Sequence, residues 1–314
     1  MLNIISWNTF LAPLMYKRES RIKKILDKIK IISENTDILL FQELNSFKSG
    51  FFTYYLYKLL LLLKIDIICP KFITIFELLM IIEGYIIPYK NIDYNQKIIE
   101  YCKNLNYRYY HKSNYSKKFI NSGLLICSKY KIYSKYDYEL SGDFLHTPGI
   151  IGIKIKVRNK FINIFNLHLC PTLDNISFSY KLVNFINYIN NNLTRDNRNK
   201  SILKIKKILD EQEIPYIIGG DFNINLPCKE IKKYLKLLNT NLIKLKSDIN
   251  YTHIESNNKL KKLIDFFIID NNIKNKIFIK DILCNLLLNT NADDYNKMIN
   301  INGSDHYPIK LNIT

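Results

Sequence analysis

Tyr216-Ile217-Ile218-Gly219-Gly220-Asp221-Phe222-Asn223 decides how this chain is read. A β-branched and aromatic run meets two glycines, and an acid and an amide follow two residues apart. On an extended backbone, positions i and i+2 face the same way. Asp221 and Asn223 therefore project together from the end of a buried strand. By itself the stretch is equally a turn leading into a capped helix. Working outward, four more polar islands appear, each at the C-terminal end of an apolar run. They are Ser6-Trp7-Asn8-Thr9, Phe41-Gln42-Glu43-Leu44, Asn166-Leu167-His168-Leu169 and Ser304-Asp305-His306-Tyr307-Pro308. A structural protein has no reason to place acids, amides and imidazoles repeatedly at strand ends.

The apolar pattern around the islands predicts the elements. Strands are expected at 3–7, 38–41, 119–127, 151–157, 161–167, 216–218, 263–269 and 308–311, with 151–157 and 161–167 forming a hairpin. Ile22, Ile25, Leu26, Ile29 and Ile32 share one face of a helix over 18–34. Further helices are expected at 176–193, 200–211 and 229–238. Many strands with interspersed helices predict two sheets packed face to face, with helices outside.

The islands carry the residue types of metal-assisted phosphoester hydrolysis. Mg²⁺ prefers few carboxylates together with water and substrate oxygens. Glu43, a lone carboxylate at a buried strand end, is the leading ligand candidate. Asp221 is placed to bind metal or orient a water, and Asn223 to donate to a phosphate oxygen. His306 has the unperturbed pKa, about 6.5, that suits a general base. Asp265, inside a buried strand, is a candidate to orient that imidazole. His168 is placed to donate to the transition state or the leaving oxygen. His111 and His146 read as surface residues, and His253 is undecided.

The ordered set of Gln42-Glu43, Gly220-Asp221-Phe222-Asn223 and Ser304-Asp305-His306 resembles the endonuclease/exonuclease/phosphatase superfamily. The resemblance spans the chain except for an apolar insertion at about 48–95. It implies one catalytic domain over 1–314, an α/β four-layer sandwich of two packed mixed β-sheets flanked by helices, as in deoxyribonuclease I. It also implies Mg²⁺, with Mn²⁺ as the substitute, held by Asn8 and Glu43 with Asp305 close by. His168, Asp221, Asn223, Asp265, Asp305 and His306 would form the catalytic apparatus. Asn8 with its flanks, Asp37 through Leu44, and Asn121-Ser122-Gly123-Leu124-Leu125 look most like the neutral sphingomyelinase branch. One departure is Thr147-Pro148-Gly149, where sphingomyelinases carry a Lys-Gly pair. The expected substrate is a choline-type phospholipid. The alternative is a nuclease acting on DNA or RNA, and the third reading is an inactive binding module.

Composition bounds the partners. The 314 residues carry a net charge of +18 from forty lysines and six arginines against 28 acids. Such a balance points to nucleic acid or an anionic membrane. The scarcity of arginine weakens the nucleic-acid reading, and abundant Ile, Asn and Tyr trace part of the charge to AT-rich coding. Six cysteines stand singly, so free thiols and a cytoplasmic location are expected. A strand that begins at Leu2 and ends at a functional Asn8 leaves no room for a cleaved signal segment. Residues 51–88 read either as a pair of buried helices or as an apolar excursion giving peripheral membrane contact. A monomer is expected.

Overall fold

Apolar side chains alternate in direction along each central strand, and both faces of each sheet are consequently buried. The protein is described from a computed structural model. It covers residues 1–11, 18–44, 46–63, 79, 83, 86, 87, 89–114, 120–142, 146–170, 181–247, 250–255, 260–273, 282–287 and 294–314. One six-stranded sheet runs in the order Ile282–Leu286, Ile309–Ile313, Leu2–Asn8, Ile38–Gln42, Leu125–Ser128, Tyr109–Lys112. The other runs Thr240–Ile243, Asp265–Asp270, Tyr216–Asp221, Lys160–His168, Gly149–Val157, Ser134–Glu139. Each sheet has one parallel pair at its centre, Leu2–Asn8 with Ile38–Gln42 and Lys160–His168 with Tyr216–Asp221, flanked by antiparallel neighbours.

Period two sorts the side chains into layers. Ile4, Ile38, Leu40, Ile153, Ile164, Ile217 and Phe267 fill the space between the sheets. Ile5, Trp7, Leu39 and Phe41 face the other way, against Ile25, Ile29 and Ile32 of helix Arg18–Ser33 and Ile98 and Ile99 of helix Tyr94–Asn104. On the second sheet, Phe165, Leu167 and Ile218 pack on helices Lys181–Asp210 and Lys229–Leu238 through Ile202, Ile205, Ile231 and Tyr234. The result is the expected four-layer sandwich. Gly219 leaves no room for a side chain: a Cβ there would lie 2.3 Å from the Phe267 ring of the neighbouring strand and 3.0 Å from Leu40 of the facing sheet.

Several expected boundaries move. The strand expected over 119–127 divides into Ile120–Asn121 and Leu125–Ser128, because Gly123 turns the chain at φ 53°. The helices expected at 176–193 and 200–211 merge into the single helix Lys181–Asp210, while 176–180 lie outside the described residues. His111 is buried rather than on the surface. Its Nε2 donates to the Tyr136 carbonyl at 2.8 Å, and burial lowers its pKa. The side chain of His146 lies outside the described residues.

The apolar insertion leaves the sandwich through a two-stranded ribbon, Ser46–Ser49 paired antiparallel with Lys90–Asp93. From it projects helix Phe51–Leu62, whose first turn is capped by the Glu83 carboxylate accepting from Phe52 N and Thr53 N at 3.0 and 2.9 Å. The reading of this part as a buried helix does not hold. Tyr57 is buried, but Phe52 and Leu62 are each 78% exposed, and Phe51, Tyr55, Leu56 and Leu59 are exposed as well. Most of 64–88 lies outside the described residues. Among those described, no helix is long and apolar enough to cross a membrane.

Candidate active site

The strand registers bring the polar islands to one edge of the sandwich. In the second sheet His168 pairs with Asp221, and Asp221 with Asp265, so three titratable residues form one row. In the first sheet Asn8 pairs with Gln42, one residue before Glu43. The rows meet at Asn8, whose Nδ2 donates to Glu43 Oε1 at 2.8 Å and to Asp221 Oδ2 at 3.0 Å. Asn8, expected as a metal ligand, thus clamps two carboxylates from different sheets, while its Oδ1 accepts from Phe10 N. Beneath it, Gln42 Nε2 donates to Asn166 Oδ1 at 2.6 Å, and Asn166 Nδ2 donates to the Phe41 and Leu125 carbonyls. A buried amide left without such partners costs about 1–3 kcal/mol, so this chain of bonds fixes the spacing of the sheets under the site.

Backbone geometry aims the carboxylates. Glu43 sits at φ +60°, an uncommon conformation for a non-glycine residue, held by its N–H donating to Ser122 O at 2.9 Å. Gly220, at φ +155°, is obligatory, since a Cβ would lie 1.9 Å from the Leu167 carbonyl oxygen. Asp221 Oδ1 accepts from Asn223 N at 2.8 Å, while the Asn223 amide donates to the Leu169 carbonyl at 2.8 Å. His168 Nε2 stands 3.7 Å from both Glu43 Oε1 and Asp221 Oδ2.

The fourth wall comes from the loop before the last strand. Ser304 Oγ donates to the Asn8 carbonyl at 2.7 Å and accepts from His306 N, and Trp7 Nε1 donates to the His306 carbonyl at 3.0 Å. His306 Nδ1 bonds Asp265 Oδ2 at 2.8 Å, which leaves Nε2 facing Asp221 at 4.0 Å and Asp305 at 3.8 Å. The expected imidazole–carboxylate pair is therefore formed. Asp305 stands with His306 and with His253, whose Nε2 is 3.4 Å from Asp305 Oδ2.

Charge crowding decides protonation. Burial pulls the His306 pKa down, but Asp265, Asp305 and Asp221 outweigh it and raise it to about 10. Burial, reinforced by Asp265, raises Asp221 against the opposing pull of His306, His168 and Asn8. Burial also acts to raise Asp305, yet His253, His306 and Arg21 hold it below its ordinary value.

Three supports were not legible as functional. Arg21 donates to the Gly303 and Phe10 carbonyls at 2.8 and 2.5 Å and stacks on the Phe10 ring, pinning the loop that carries Asp305. Arg198 donates to the Cys170 and Asn223 carbonyls at 3.2 and 3.1 Å, tying the His168 and Asp221 loops together. His253 follows no apolar run, and only tertiary pairing brings it to the site. The signal available for the arginines was their rarity in a lysine-rich chain.

A divalent cation fits the donors. Glu43, His168 and Asp221 present ligand atoms within 4.8 Å of one another, and two are carboxylates from opposing sheets. Such a pair held together by one amide is the arrangement a hard cation would stabilise.

The architecture has solved counterparts. A magnesium-bound double mutant of beta toxin from Staphylococcus aureus aligns over 99% of this chain and 98% of its own, at 17% identity and a TM-score of 0.64. Sphingomyelinase C from Streptomyces griseocarneus aligns over 99% and 98%, at 12% identity and a TM-score of 0.64. An endonuclease/exonuclease/phosphatase family protein from Leptotrichia buccalis aligns over 100% of both chains, at 14% identity and a TM-score of 0.58. The fold is that of deoxyribonuclease I. No protein-family model matches the chain, and no curated protein matches it in sequence.

Proposed function

We propose that the chain is a Mg²⁺-dependent phosphodiesterase whose favoured substrate is a choline-type phospholipid. The observation that carries the reading is the convergence of the Asn8 clamp on Glu43 and Asp221 with the His306–Asp265 pair across from it. Bound near Glu43, the ion would neutralise a phosphodiester's charge and polarise it for attack. His306 Nε2 faces Asp221, so the two would share the handling of the attacking water's proton, with Asp265 fixing the imidazole. His168, between Glu43 and Asp221, would donate to charge developing on the phosphoryl oxygens. Asn223 would act from the same loop, and Asp305 would hold the far side of His306.

A lipid substrate is supported by helix Phe51–Leu62, whose exposed apolar face leaves the sandwich on its own ribbon. We take a bilayer surface as its occupant, because the surplus of lysines complements anionic headgroups. The same charge favours a second reading as a nuclease. An activity panel in Mg²⁺ decides: sphingomyelin, lysophospholipid, abasic duplex DNA, plasmid and poly(A) RNA. Turnover of a choline phospholipid in vesicles, abolished by chelation, is expected. Turnover of nucleic acid alone would replace the lipid reading, and no turnover of any substrate would sink the phosphodiesterase.

A further inference from the structure

We propose that His253, Asp305 and His306 form a second cation site, selective for an imidazole-preferring transition ion such as Zn²⁺, and that filling it inhibits the enzyme. His253 lies on the short strand His253–Ile254, and its backbone bridges directly to His306. The two rings stand 4.5 Å apart at 45°. His253 Nε2 is 3.4 Å from one Asp305 oxygen and His306 Nε2 is 3.8 Å from the other, and all three residues offer ligand atoms within 4.8 Å of one another. Donors at about 2.0–2.2 Å from a tetrahedral ion lie about 3.4 Å apart, so small adjustments suffice.

A second, independent observation points to a ligand. Asp305 is buried, and its Oδ1, the oxygen facing His306, accepts no hydrogen bond among the described residues. The outer contacts suit a metal as well. Asp265 holds His306 Nδ1, which directs Nε2 inward, and Asp265 N itself donates to Thr252 Oγ. Imidazole ligands that give their other nitrogen to a carboxylate are the usual metal-binding arrangement.

Donor chemistry separates this site from the one at Glu43. Two imidazoles and one carboxylate favour Zn²⁺, Co²⁺ or Ni²⁺ over Mg²⁺, which takes oxygen ligands. An ion bound through His306 Nε2 would take that nitrogen out of proton transfer. The inhibition rests on the phosphodiesterase reading; the binding does not.

The test titrates metal-free protein with Zn²⁺ by calorimetry and with Co²⁺ by visible absorption. The wild type should bind Zn²⁺ and give the intense spectrum of four-coordinate Co²⁺ with nitrogen ligands. His253→Asn and His253→Ala should weaken Zn²⁺ binding by about tenfold or more, with Mg²⁺ affinity unchanged. Equal Zn²⁺ affinity in wild type and variants, or a weak six-coordinate Co²⁺ spectrum in the wild type, overturns the site. Should both variants fail to fold, the wild-type Co²⁺ spectrum alone decides. Zn²⁺ inhibition of Mg²⁺-driven turnover, taken as a ratio within each protein, should weaken by the same factor in the variants. A chain that binds Zn²⁺ through His253 but hydrolyses nothing would refute the phosphodiesterase and keep the site.

Discussion

Glu43 reaches the site from a backbone conformation at φ +60° that a glutamate does not adopt freely. Strain of that kind persists where the surroundings enforce it, here through Ser122 and Asn8. Glu43→Gln keeps the shape and removes the charge. Activity should fall by several orders of magnitude with the far-ultraviolet spectrum unchanged; near-wild-type turnover in Mg²⁺ would take Glu43 out of the site. His306 and Asp265 play different parts. His306→Ala deletes the imidazole, whereas Asp265→Asn only loosens its orientation, so the second loss should be the smaller. Equal and mild losses would remove both from the chemistry. The same pair makes a pH prediction. The folded His306 pKa, about 10, lies above its unfolded value of about 6.5. The imidazolium therefore stabilises the folded state fully below about pH 6.5, and that stability is lost as pH rises towards 10. In chelator, the melting temperature should decline across this window, and His306→Ala should flatten the decline. An unchanged slope in the variant would mean that the neighbouring carboxylates do not hold the proton there.

At the scale of elements, helix Phe51–Leu62 separates the two readings of its apolar sequence. Composition cannot distinguish a core helix from a docking helix, because both are rich in leucine and aromatics; only the position of the ribbon that carries it does. Phe52, Leu59 and Leu62 project away from the sandwich, so changing each to Ser should alter stability by no more than about 0.5 kcal/mol. Each apolar side chain fully buried in lipid contributes about 1.5–3 kcal/mol, so the triple variant should lose most of its partition onto anionic vesicles. Hydrolysis of a soluble phosphodiester should persist. Unfolding of the variant, or undiminished vesicle binding, would end the docking assignment. Elsewhere, legibility followed periodicity. The central strands were readable because both faces are buried and their ends carry polar residues. Edge strands such as Tyr109–Lys112 and Ser134–Glu139 were not, since one-sided contact leaves little apolar signal. The helices expected at 176–193 and 200–211 left a gap between them, yet Lys181–Asp210 runs through it as one helix.

The whole molecule places its chemistry on a seam. Asn8 lies in one sheet with Glu43 just past the end of the neighbouring strand, His168, Asp221 and Asp265 lie in the other, and Asp305 and His306 in the loop that closes them. The members of this set were nameable from the sequence because each is a polar residue that ends, begins or interrupts an apolar run. Their grouping was not: that Asp305 stands with His253, and that Asn8 clamps carboxylates, depends on how the elements meet. Gly219 shows how closely they meet, and a Cβ there would push Phe267 and Leu40 apart. A cation held between Glu43 and Asp221 would tie the two layers, and it would bind the folded chain alone. By mass action a ligand at one hundred times its Kd stabilises the fold by about 2.7 kcal/mol. Saturating Mg²⁺ should therefore raise the urea midpoint of the wild type, measured without any substrate. Glu43→Gln, still folded, should show little of this gain because one of the two bridging carboxylates has lost its charge. An identical Mg²⁺-dependent shift in both proteins would place the ion elsewhere and separate metal binding from the seam, whatever the activity assays reported.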